Sequence, residues 1–213
     1  MFFYGALMNA QKIIDLTHVV TPQISVSPYD EPIKLEQYRN LETHKNNDWR
    51  LISGMHVGTH IDGPGHLTES KKLLSDYPVD RFVGTGFLID ARDKKIDVIL
   101  LAQVPDQENL IVLVLTGQDK KFGSKEYFTN YPVFEPDFAQ ALVDHKVKMV
   151  GIDSFSPDTY PFSIHHLFFE HDILIIENLT NLDQLSGIKK FKVIALPLKL
   201  ETDSAPARVI ALV

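Results

Sequence analysis

The chain has 213 residues, 44% hydrophobic and 23% charged, with a formal net charge of −7 and no cysteine. That length and composition fit one sizeable α/β domain spanning 1–213, and the acidic balance, with lysine pairs scattered along the chain, argues against a nucleic-acid partner. The missing thiols exclude disulfides and thiolate zinc sites and fit a reducing cytosol, and no apolar run reaches the roughly 18 residues of a membrane span.

The start, "MFFYGALMNA", is apolar but short and lacks a basic region, which makes it a poor secretion signal; Met8 is an alternative start to Met1. "KIIDLTHVV" (12–20) is β-rich and predicts the first strand. "TPQISVSPYDEP" (21–32) carries three prolines and predicts an irregular loop. "WRLISGM" (49–55) predicts a strand that leads into "HVGTHIDGPGH" (56–66), where three of the nine histidines and one aspartate crowd eleven residues.

His56 and His60 have the i, i+4 spacing of a helical metal-binding pair, but Gly58, Gly63, Pro64, Gly65 and the β-branched residues between them oppose a helix. As a strand, the segment places His56, Gly58, His60 and Asp62 on one face and Val57, Thr59 and Ile61 on the other. A flat strand would hold His56 and His60 roughly 13 Å apart, too far to share an ion. The pattern therefore predicts a bend at Gly58 and a turn at Gly63–Gly65 that returns His66 over the site. With no cysteine, nitrogen and oxygen donors admit zinc, manganese, iron, cobalt or nickel. The alternative for the cluster is a polar turn held by hydrogen bonds.

Further along, "FVGTGFLIDA" (82–91) predicts a twisted strand with close backbone approach at its glycines. "LIVLVLTG" (110–117) reads as a strand buried on both faces. "EPDFAQALVDHK" (135–146) predicts a helix opened by Pro136, with Phe138, Ala141, Leu142 and His145 sharing a face. "VKMVGID" (147–153) predicts a strand, "FSIHHLFFE" (162–170) one or two helical turns, and "DILIIEN" (172–178), "FKVIALPLKL" (191–200) and "ARVIALV" (207–213) three more strands. Strands outnumber helices, which predicts a mixed α/β fold.

The segment "HVGTHIDGPGH" is similar to the H-x-G-T-H-x-D-x-P-x-H signature of the cyclase family, whose best-known members are bacterial kynurenine formamidases. "IDLTH", "VLTGQDKKFGSKEYF", "GIDSFSPD" and "HHLFFEHDILIIENLTNLDQL" resemble further family elements, so the resemblance runs over nearly the whole chain. It implies a swivelling β/β/α domain with a mixed, strongly twisted sheet and few helices, assembled as a homodimer or homotetramer. It further implies one or two divalent ions, zinc first and manganese as the alternative. His56, His60 and Asp62 would bind metal, and His66 would donate and accept protons. His165 and Glu177, twelve residues apart, would complete a second position, with Asp62 and Glu177 bridging. His166 and His171 stay outside this set.

The implied activity is hydrolysis of a carbon–nitrogen bond in a small amide, arylformamidase-like. A bound divalent ion lowers the pKa of water from about 15.7 to about 7 and stabilises the oxyanion of the attacked carbonyl. The other ring nitrogens of His56 and His60 need acceptors, for which Thr59 and Ser53 are candidates. Two positions depart from the formamidase pattern: Ser27 replaces tryptophan in "SPYD", where Tyr29 also replaces glycine, and Gln118 replaces tryptophan in "TGQD". N-formylkynurenine is the named substrate candidate, with Tyr29, Trp49 and Phe162 as candidates for a replacement aromatic wall. Asp153, Ser154 and Ser156 read equally as site support or as a turn, and Arg208 reads as packing. Two rival readings are ring closure, lyase or dehydratase chemistry on the same ligands and a non-catalytic metal-binding protein. The third is a structural protein with a polar loop.

Overall fold

The computed structural model describes residues 12–105 and 107–213; the choice between Met1 and Met8 lies outside them. In chain order the elements are β1 (Ile13–Asp15), β2 (Lys34–Arg39), α1 (Leu41–His44), β3 (Asp48–Ile52), β4 (His60–Asp62), β5 (Val83–Asp90) and β6 (Leu110–Leu115). There follow α2 (Pro136–Asp144), β7 (Met149–Ile152), α3 (Ser163–Glu170), β8 (Leu174–Glu177), β9 (Phe191–Pro197) and β10 (Ser204–Leu212).

Eight strands form one mixed sheet in the order β1-β10-β4-β8-β7-β6-β5-β9. β5 to β8 run parallel to their neighbours, while β4 is antiparallel to β8 and β9 is antiparallel to β5. β10 also pairs with β9 along Ala207–Leu212, so the sheet curls back on itself into a barrel-like closure. β10 starts three residues before the predicted "ARVIALV" because Ser204–Pro206 pairs with β4. The mixed α/β expectation with few helices holds.

Alternation sorts the side chains onto two faces. Ile61, Leu113, Leu174, Ile176, Val193 and Val209 join one buried cluster. Val112, Val114 and Ile175 join another, covered by Phe138 and Leu142 of α2 and Ile164 and Phe168 of α3. β6 is buried at all six residues, as its unbroken apolar run requires. In β5 the close approach expected at glycine is explicit: a Cβ on Gly86 would lie 2.0 Å from the Phe191 ring, its partner across the β5–β9 ladder. α2 begins at Pro136 as predicted but buries Phe138, Ala139 and Leu142, with His145 just past its end.

One expectation is corrected, and one element is new. The strand in "WRLISGM" ends at Ile52 and pairs with β2 in a separate two-stranded ribbon, so it does not continue into the histidine segment. β2 itself, "KLEQYR", went unrecognised because it is largely exposed and polar and carries no apolar run. No helix among the described residues is long and apolar enough to cross a membrane.

Candidate metal centre

Four elements converge on one spot. After the ribbon the chain turns through Gly58, which stands at φ 64, a left-handed conformation that favours glycine. It then enters β4, where Ile61 faces the inner cluster and His60 and Asp62 face the opposite way. Glu177, at the end of β8, is the direct cross-strand partner of His60. The Pro64–His66 turn, closed by the His66 amide donating to the Gly63 carbonyl, brings the His66 ring to 4.1 Å from that of His56. α3 delivers His165 on its first turn.

The polar atoms form a chain of close approaches. His56 Nδ1 is 3.0 Å from Asp62 Oδ1. His60 Nε2 is 3.4 Å from both Asp62 Oδ1 and Glu177 Oε2. His165 Nε2 is 3.4 Å from Glu177 Oε1. Two sets offer ligand atoms all within 4.8 Å of one another: His56, Asp62 and His66, and His60, Asp62 and Glu177. Asp62 belongs to both, and His165 reaches the second through Glu177. His66 therefore sits close to His56 and Asp62, within the first of these sets.

Hydrogen bonds leave the inward atoms free. His60 Nδ1–H donates to the Gly58 carbonyl at 2.8 Å, and His165 Nδ1–H donates to Asp158 Oδ1 at 2.6 Å. Asp158 also accepts from the backbone amides of Ile164 and His165, fixing the start of α3. His60 Nε2 and Asp62 Oδ1 are buried and make no hydrogen bond. An unsatisfied buried polar atom costs about 1–3 kcal/mol, more when charged, so the pair is built for a partner. A divalent cation fits: imidazole nitrogens with their other edge tied, and carboxylates beside them, are the donors expected of a cysteine-free site.

Charge separates the histidines. Burial alone would depress their pKa values, but Asp62 raises that of His56, and Asp62 with Glu177 holds that of His60 well above its ordinary value. Burial is likewise outweighed at His165, where Asp158 and Glu177 push the pKa up to about 10. Asp62, despite burial, is held well below the usual carboxylate range by His60 and His56. His66 alone of the four is lowered, because burial outweighs the carboxylates around it. The carboxylates thus pull His56, His60 and His165 toward the charged form, while burial pulls His66 toward the neutral one.

The remaining predicted residues separate into near and far. Thr59 and Ser53 do not serve the rings: the Thr59 hydroxyl donates to the Asn178 carbonyl at 2.6 Å, and Ser53 donates to Gly54 O. The acceptor for His60 is instead the Gly58 carbonyl, because the bend at Gly58 folds it under the ring. Ser204 Oγ, 3.1 Å from His56 Nε2, takes that role for His56. Tyr29 and Trp49 are 96% and 57% exposed in the single chain, whereas Phe162 packs 5.9 Å from the His165 ring. Phe169 packs 5.7 Å from the same ring, and a separate aromatic cluster of Tyr131, Phe155 and Phe128 is tied to the Asp158 segment by the Tyr131 hydroxyl, which donates to the Asp158 carbonyl at 3.0 Å. Ser27 caps its own turn by accepting from the Tyr29 amide, and Gln118 donates to the Glu126 and Tyr127 carbonyls.

Asp153 clamps the loop after β6, accepting from the Thr116 amide and hydroxyl and the Gly117 amide, and burial pushes its carboxyl up to about 6. Ser154 lends its carbonyl to the Asn178 amide, and Ser156 Oγ accepts from the Asp158 amide. Arg208 pairs with Asp15 at 2.7 and 3.0 Å on the surface. His171 donates to the Leu167 carbonyl, and it and His166 stay outside the cluster. Asp158, Ser204 and Asp203, whose Oδ2 is 3.6 Å from His66 Nδ1, were missed. Asp158 carried a signal as the last residue of the "GIDSFSPD" element, an acid shortly before a helix; Asp203 and Ser204 carried none.

A family model described as "Putative cyclase" matches residues 14–159. Kynurenine formamidases of Bacillus cereus and Bacillus anthracis are each 29% identical to the chain, over 215 and 214 residues, covering 95% of it and 98% of the relative. Among solved structures, isatin hydrolase A from Labrenzia aggregata bound to benzyl benzoate aligns with a TM-score of 0.83 at 23% identity, over 95% of this chain and 94% of that one. The "predicted metal-dependent hydrolase from Bacillus stearothermophilus" aligns with a TM-score of 0.77 at 26% identity, over 95% and 98%.

Proposed function

Since the chain belongs to the cyclase family, we propose that it is a metal-dependent hydrolase of carbon–nitrogen bonds in small amides, arylformamidase-like. The observation that carries the reading is the buried, unpartnered pair His60 Nε2 and Asp62 Oδ1, facing Glu177 across the ladder. The kynurenine formamidase relatives support the same reaction class. His56, His60, Asp62, His165 and Glu177 would hold one or two divalent ions, with Asp62 and Glu177 between the positions. Zinc is the first choice and manganese the second. When bound, such an ion polarises a carbonyl and makes water acidic.

The chain's own groups do the rest. His66, neutral near pH 7, takes the proton from attacking water and returns it to the leaving nitrogen. Asp158 fixes the His165 ring through Nδ1–H, keeping Nε2 on the Glu177 side. The kynurenine formamidase relatives keep N-formylkynurenine the first candidate despite Ser27 and Gln118. The proposal extends to one swivelling β/β/α domain over 1–213, in the cytoplasm, with no nucleic-acid or membrane partner. It also includes a homodimer or homotetramer, for which the β2–β3 ribbon exposes Tyr38, Trp49, Leu51 and Ile52.

The test is hydrolysis of a panel of N-formyl aromatic amines and cyclic amides by zinc- and manganese-loaded protein, beside His66→Asn. The variant should keep its metal and lose roughly 10²–10⁴-fold in kcat. Equal turnover in the variant would remove His66 from its role, and no turnover of any amide would remove the reaction class.

A further inference from the structure

His60 offers Nε2 to the centre only while its proton stays on Nδ1 and its ring keeps one orientation. The Gly58 carbonyl that holds that proton accepts a second hydrogen bond, from Asn178 Nδ2 at 3.1 Å, so both its lone pairs are used. The same amide nitrogen lies 3.4 Å from His60 Nδ1, against the protonated edge of the ring. The amide is itself oriented, because the Tyr127 hydroxyl donates to Asn178 Oδ1 at 2.7 Å. A reversed amide would set its oxygen against the Gly58 carbonyl, two acceptors facing each other. Tyr127 and Asn178 are 0% and 3% exposed, so water cannot replace either bond.

Resting on the metal-centre reading above, we infer that Asn178 and Tyr127 are positioning residues that hold the Gly58 carbonyl and thereby the orientation of His60 toward the ion. The chain of contacts runs from Tyr127 through the Asn178 amide to the Gly58 carbonyl and the ring. Asn178 directly follows Glu177, so one strand end supplies both a carboxylate facing His60 and the amide that steadies its other edge. The plainer account is that asparagine stands at 178 because it tolerates the left-handed backbone there, φ 55. That account explains the residue type but not the aim of the amide, and it predicts that glycine would serve equally well.

The experiment uses that difference. Asn178→Gly keeps the left-handed conformation and removes the amide; Tyr127→Phe keeps the ring and removes the hydroxyl. Zn²⁺ affinity of the full chain is measured by competition with a chromophoric chelator, with near-UV circular dichroism confirming the fold and Co²⁺ absorption bands reporting ligand geometry. Asn178→Gly should weaken Zn²⁺ binding about 10–100-fold and alter the Co²⁺ bands. Tyr127→Phe should weaken binding by less, up to about tenfold, and should add nothing in the double variant, because its effect passes through the amide. If both folded variants bind Zn²⁺ as the wild type does, or if their effects multiply in the double variant, the relay is overturned while the metal centre stands. A wild type that binds no Zn²⁺ overturns the metal reading and the relay with it.

Discussion

Asp62→Asn is the sharpest perturbation of the centre, because Asp62 belongs to both candidate ligand sets and its Oδ1 is approached by both His56 and His60. The substitution keeps the side chain's size and the backbone pairing of residue 62 with Ser204 and Ile175. It removes one negative charge 3.0 Å from His56 Nδ1 and 3.4 Å from His60 Nε2. At an effective dielectric of about 20, unit charges separated by that distance interact by roughly 5 kcal/mol, and a divalent ion by about twice as much. Part of this is offset by the cost of burying charge, and removing one partner of a buried pair costs about 3–5 kcal/mol net. Zn²⁺ affinity should therefore fall by at least about 10²-fold. Chelator competition at pH 7.5 measures the change, and near-UV circular dichroism checks that the fold persists. A folded Asp62→Asn chain that binds Zn²⁺ within about threefold of wild type would refute the ligand role of Asp62 and the electrostatic argument behind it.

Metal should also stabilise the fold: at a free Zn²⁺ concentration one hundred times Kd the gain is about 2.7 kcal/mol, a Tm rise of roughly 5–10 °C that a chelator reverses in differential scanning calorimetry. The Asp153 carboxyl, pushed from 3.8 to about 6 by burial, binds its proton more tightly folded than unfolded. Between pH 4 and 6 its contribution to stability therefore falls as pH rises, and the wild type's advantage over Asp153→Asn should shrink by up to about 3 kcal/mol in urea unfolding. A flat difference across that window would show the carboxyl to be unperturbed. Gly86→Ala places a Cβ 2.0 Å from the Phe191 ring and should cost about 1–3 kcal/mol. A smaller side chain at Phe191 should restore part of that loss in the same urea titration.

How far the sequence could be read depended on the range of the interaction. The alternation of His60, Ile61 and Asp62 is local, so the face that carries the polar pair was legible, as was the bend at Gly58. The unbroken apolar run of β6 and the glycines of β5 likewise announced burial and close approach. The convergence of β4, β8 and α3 depends on sheet order, which no short stretch encodes; His165 and Glu177 came from a family resemblance rather than from spacing. Ser204 and Asp203 reach the histidines across about 140 residues of sequence through the β10–β4 pairing, a contact with no local trace. Trp49 and Tyr29 lie exposed on the single chain; an aromatic residue's type does not reveal which way a ribbon or turn directs it.

The central claim is that the histidine–carboxylate cluster is a metal centre, and elemental analysis of the purified full chain, after incubation with Zn²⁺ and Mn²⁺ at neutral pH and removal of free ions, tests it most directly. The account predicts one or two equivalents of zinc or manganese per chain, lost in His60→Ala. A wild type that retains no divalent metal under those conditions would contradict it and leave the cluster as a polar network of histidines and carboxylates.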